Sequence, residues 1–105
     1  MMARLDVYAN PVLAERKLTP YFLDVQNDYL EGLHSRVVIP LRHESAFGPR
    51  ARDLHPLLSV GRDRVVLDTA AIGAVPTAVL RKPVAQLREA RGEVQAALDT
   101  LFGAN

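Results

Sequence analysis

The sequence predicts an α+β domain, with short strands first and one helix last. Six stretches between Arg4 and Leu80 read as strands, while helical spacing of apolar residues is confined to the segment after Pro83. Three of those stretches carry an internal proline, at Pro40, Pro56 and Pro76. Proline cannot donate to a ladder, so its presence predicts bent, edge-rich sheets and not one flat central sheet.

Arg4–Tyr8 is the first expected strand, with Leu5 and Val7 on one face and Asp6 on the other. Asn10-Pro11 breaks it, and Val12–Pro20 is a polar connection. Tyr21–Gln26 is the second strand, with Leu23 and Val25 opposed to Asp24 and Gln26. Arg36–Leu41 is the third, with Val37, Ile39 and Leu41 sharing a face. Arg42–Asp53 reads as loop because Gly48-Pro49 interrupts it. Leu54–Val60 and Arg64–Asp68 form a hairpin across Gly61-Arg62-Asp63, and Ala74–Leu80 is a last strand. Pro83 then opens the helix, a position where its missing N–H is no loss. Leu87, Ala90, Val94, Ala97 or Leu98, and Leu101 supply the apolar stripe, and Gly103 the stop.

A chain of 105 residues fits one domain with a modest core. A net charge of +1 argues against a sequence-independent grip on nucleic acid. The absence of cysteine removes disulfide, thiol and thiolate-metal chemistry and fits a reducing cytoplasm. No leader-like apolar run is seen at the N-terminus, and Thr69–Leu80 is too short to cross a membrane.

Little in the chain points to catalysis. His34, His43 and His55 share no metal-ligand spacing, and His43-Glu44-Ser45 reads as a loop, since a triad is made by geometry and not by adjacency. No glycine-rich phosphate cradle is present. Asp24 with Asp28, or Asp6 with Asp24, are formally paired carboxylates, but a solvated face or a loop-capping role explains them more simply. Three features remain. Tyr29-Leu30 is a bulky apolar pair in a polar loop, either tucked onto the core or standing out as an anchor. Phe102 has almost no chain beyond it, and either folds back on the sheet or joins a neighbour. Arg42, Arg50 and Arg52 form a weak basic cluster, read as a solvated loop or as a phosphate contact.

Several segments, in order, resemble the CcdB family of toxins: LDVY at 5–8, FLDVQND at 22–28, RVVIPL at 36–41, LHPLLSVGRD at 54–63, GAVP at 73–76, and the helix from Val84 through Leu87 to Phe102. The resemblance implies a single CcdB-like toxin domain over residues 1–105. Its fold would be a small, mainly antiparallel SH3-like barrel (the plan shared by CcdB and MazF) with a C-terminal α-helix. It implies a cytoplasmic homodimer with the two helices near the twofold axis. The function implied is that of a type II toxin that inhibits or poisons DNA gyrase by binding its A subunit. A cognate CcdA-like antitoxin with a disordered C-terminal segment would neutralise it. Such a protein grips partners and is no enzyme; no cofactor, metal or membrane is expected, nor direct nucleic-acid binding by the toxin alone. Gyrase contact would fall to Tyr29, Leu30, Asp99 and Phe102 with the tail Gly103, Ala104 and Asn105, and antitoxin contact to Asp24, Gln26 and Asp28. Well-studied members end in tryptophan-glycine-isoleucine, whereas this chain reads Gly103-Ala104-Asn105 and has no tryptophan. Two other readings share the fold: a MazF-like endoribonuclease using Arg42, His43, Arg50 and Arg52, and a relative that binds antitoxin without poisoning.

Overall fold

The computed structural model describes residues 2–30 and 32–103. Among the described residues, seven strands and one α-helix follow in the order β1 (Asp6–Ala9), β2 (Tyr21–Asp24), β3 (Ser35–His43), β4 (Leu57–Val60), β5 (Asp63–Leu67), β6 (Gly73–Pro76), β7 (Ala85–Gln86) and α1 (Arg91–Phe102). Every pairing is antiparallel, and the sheet runs β4-β5-β3-β2-β1-β7, with β6 added on β3. The sheet curls into a nearly closed barrel, and one helix completes the small α+β SH3-like fold.

The nine-residue strand β3 bends the sheet, because it changes neighbour along one side. Ser35–Val38 pair with β6, and Leu41–His43 pair with β5. Pro40 lies in the gap between those partners. Its carbonyl accepts from the Asp68 N–H at 3.0 Å, so its nitrogen faces the same side, where neither β6 nor β5 requires a donor. The proline is thus accommodated inside the sheet without costing a ladder bond. Pro56 precedes β4, and Pro76 ends β6.

The alternation of strand residues places Leu5, Val7, Leu23, Val25, Ile39, Leu41, Leu58, Val60, Val65 and Leu67 in one core, closed by Val94 and Ala97 of α1. The opposite face of β1–β3 is covered too. Tyr8 and Val38 pack there with Leu80, flanked by Phe22 and Val75. This second layer buries Asp6, Asp24 and Arg36, so a solvated face is ruled out for the first two.

Helix formation starts later than the apolar spacing predicts. Val84 N–H donates to the Val7 carbonyl at 2.7 Å, and Leu87 N–H to the Leu5 carbonyl at 2.9 Å. Residues 84–87 therefore extend the sheet, and Pro83 does not open a helix. Leu87 reaches the core from an extended chain, and only Val94, Ala97, Leu98 and Leu101 lie on α1. Strand ends shift as well. Leu54 and His55 N–H both donate to the Ala51 carbonyl, delaying β4 to Leu57, and the turn Thr77–Val79 cuts the last expected strand at Pro76. Arg42 and His43, expected in a loop, end β3. No helix among the described residues is long and apolar enough to cross a membrane, and no three of their His, Asp or Glu residues are grouped to hold a metal.

Candidate functional site: the loop after β2 and the end of the helix

The polar strand end works as a pedestal. Asp24 Oδ2 accepts from Arg36 Nε at 2.7 Å, with both side chains buried. Asp24 Oδ1 accepts from the Gln26 N–H at 3.0 Å, an Asx-type turn that ends β2. Gln26 is buried, and its Oε1 accepts from the Val37 N–H at 3.0 Å while its Nε2 donates to the Leu30 carbonyl at 3.4 Å. Asn27 repeats the Asx turn, accepting from the Tyr29 N–H at 2.9 Å. The 3-10 turn Asp28–Leu30 is therefore tied down through its own backbone, through the buried Gln26 side chain and through the exposed Asn27 side chain.

Burial pushes the Asp24 carboxyl above its ordinary value, against the pull of the Arg36 guanidinium and the Gln26 N–H. Burial, with Asp6 and Asp24 nearby, raises the Tyr8 hydroxyl to about 12. The Tyr8 hydroxyl and Arg36 Nη2 are buried with no hydrogen-bond partner among the described residues. Arg36 Nη2 does lie 3.8 Å from Asp28 Oδ1, close enough for attraction but too long for a hydrogen bond.

On this pedestal Tyr29 is 89% exposed, Leu30 45% and Leu33 53%. The tucked arrangement is thus excluded for Tyr29, which stands in solvent on a fixed backbone. Leu33 adds a third large apolar group that the sequence reading did not single out, although its spacing from Leu30 was visible. Of the three acid/amide residues expected to meet an antitoxin, Asp24 and Gln26 are inside the protein, and only Asp28 is at the surface. The buried pair supports the loop.

The second half lies on α1. Asp99 is half-buried and accepts from Gln95 Nε2 at 3.0 Å. Phe102 is 67% exposed in the last turn, so it does not fold back on the sheet. Gly103 closes the helix at φ 69°, its N–H donating to the Asp99 carbonyl. Ala104 and Asn105 lie outside the described residues. The two halves are joined by a residue that the sequence did not flag, Arg4. Its N–H donates to Asp28 Oδ1 at 2.7 Å, and its Nη2 donates to Gln95 Oε1 at 3.1 Å.

Two residues of the nuclease reading, Arg42 and Arg50, are engaged in bonds within the fold. Arg42 binds Asp68 Oδ2 at 2.6 Å and Thr19 Oγ1 at 2.6 Å, and Arg50 donates to the His55 carbonyl at 2.9 Å. His55 packs edge-on against Phe47, and its Nδ1 accepts from the Ala51 N–H. A surface groove of about 520 Å³ lies between Leu13, Arg16, Val79 and Arg81 and shares no residue with the loop or helix end. A family model described as CcdB protein matches residues 4–103, a span that includes the pedestal, the loop and the helix to Gly103.

Proposed function

The chain belongs to the CcdB family of toxins from toxin–antitoxin pairs, and from that premise we propose that it binds the A subunit of DNA gyrase and inhibits or poisons it until a cognate CcdA-like antitoxin displaces it. The observation that supports this reading most is the exposed Tyr29-Leu30 pair on a backbone held from below by Asp24, Gln26 and Arg36. An aromatic group on a backbone that is already held has less chain entropy to lose on binding, and aromatic side chains dominate interface hot spots. Phe102, with Asp99 beside it on α1, supplies the second contact. In a chain without the terminal tryptophan, the loop carries the larger share of the grip. Antitoxin contact at the end of β2 falls to Asp28, while Asp24 and Gln26 act by holding it. The toxin acts by occupying its target and not by catalysis, and it works as a cytoplasmic homodimer.

The test is binding of the purified protein to gyrase A subunit, with inhibition of supercoiling read in parallel. Tyr29→Ala is expected to weaken binding by about 2 kcal/mol or more, roughly thirtyfold in Kd. The thermal midpoint should stay unchanged, because the side chain makes little contact with the fold. No binding by the unmodified protein, or equal affinity of the variant, would overturn the reading.

A further inference from the structure

Leu5 is the only non-glycine among the described residues with a positive φ, at 74°. A left-handed backbone is costly for a residue with a Cβ, and it persists only where the surroundings impose it. Here they do. Leu5 N–H donates to the Asp24 carbonyl at 2.7 Å, its carbonyl accepts from Leu87, and its side chain is in the core. The turn is closed by Asp6 N–H on the Ala3 carbonyl at 3.1 Å and by Ala3 N–H on Asp6 Oδ2 at 3.0 Å.

The consequence is the placement of Arg4. Its backbone N–H holds Asp28, its Nε donates to the Val25 carbonyl at 3.2 Å, and its Nη2 crosses to Gln95 on the helix. Gln95 passes the link to Asp99, and Gln95, Asp99 and Phe102 recur at helical spacing on one face. Arg4 is half-buried between two clefts. One cleft of about 290 Å³ lies between it and Arg88, Arg91 and Asp28, and another of about 430 Å³ between it and Asn27, Arg91 and Gln95. The guanidinium thus forms the wall shared by two clefts and bridges the Val25 carbonyl to Gln95 on the helix.

We propose that Arg4 is a positioning residue for partner binding, a strut that keeps the Tyr29-Leu30 turn and the Asp99–Phe102 end of α1 in one register. This rests on the gyrase reading above, and two measurements separate them. In the first, gyrase A subunit binding is measured for Arg4→Gln, Gln95→Ala and the double variant. Each single change is expected to weaken binding about tenfold, and the double no further, as for residues of one network. Penalties that multiply in the double variant, or unchanged affinity in both singles, overturn the proposal. In the second, amide hydrogen exchange is followed in the free protein. Asp28→Ala, which removes the acceptor of the Arg4 backbone N–H, is expected to speed exchange at Tyr29 and Leu30, and Arg4→Gln, which removes the bond to Gln95, to speed it at Phe102, while β3 keeps its protection in both, which loss of a direct partner contact would not do. Unchanged exchange at those amides overturns the strut, also in the case where the unmodified protein fails to bind gyrase and only the functional reading falls.

Discussion

At the scale of single residues, the protein separates groups that hold a surface from groups that form it. Asp24, Gln26 and Arg36 belong to the first kind, and Tyr29, Leu30 and Phe102 to the second. The alternation in Tyr21–Gln26 showed correctly that Asp24 and Gln26 oppose Leu23 and Val25. It did not show that a second layer, centred on Leu80, covers that opposite face. An aspartate buried against an arginine reads the same in sequence as one in water. Its titration differs, however. Burial raises the folded-state pKa of Asp24 above 3.8, so the folded protein holds that proton more tightly than the unfolded chain. The resulting contribution to stability is fully present below 3.8 and is lost as pH rises through the raised value. Asp24→Asn removes this titration. Urea unfolding of both proteins, from below 3.8 to neutrality, should therefore show the advantage of the unmodified protein shrinking as pH rises, then levelling. A gap that widens with pH would mean that the Arg36 attraction outweighs burial.

At the scale of elements, strand faces were legible and element ends were not. The hairpin of β4 and β5 follows from Gly61-Arg62, where Gly61 takes the positive φ of 57° that the tight turn requires. The helix starts later than its apolar spacing implies, because Leu87 fits both a helical stripe and an extended strand. The competition was settled by the carbonyls of Leu5, just before β1, and of Val7 within it, which accept from Leu87 and Val84. Helix α1 lacks a side-chain cap at Ala90 and carries Gly92 in its first turn, so its beginning is intrinsically weak. A Cβ at Gly92 meets nothing within 4 Å. Gly92→Ala is accordingly expected to stabilise the protein by up to about 1 kcal/mol, measured as a raised urea midpoint at unchanged slope. A lowered midpoint would show that the first turn depends on glycine for a contact with another chain.

At the scale of the whole molecule, the fold is a flattened body of 35 × 35 × 21 Å with the loop after β2 and the last turn of α1 linked through Arg4. The implied homodimer, with both helices near a twofold axis, would place two copies of the helix end close together and present a paired surface to a partner. Sedimentation equilibrium should then give about twice the 11.6 kDa of one chain at the concentrations used for binding. A single-chain mass under those conditions would mean that each subunit meets its partner alone.

The α+β class, the faces of the strands, the glycine end of the helix and the family resemblance could all be read from residue order, because each depends on local periodicity or on a motif. Tyr29, Leu30 and Phe102 were visible as apolar groups in polar or terminal surroundings, but whether they tuck in or stand out was not. That depends on which segments cover which faces. Closure of the barrel, burial of Asp6, Asp24 and Arg36, and the crossing of Arg4 to Gln95 join residues as far apart as 91 positions. Contacts over such separations are set by how strands pair around the barrel, and no local pattern encodes them.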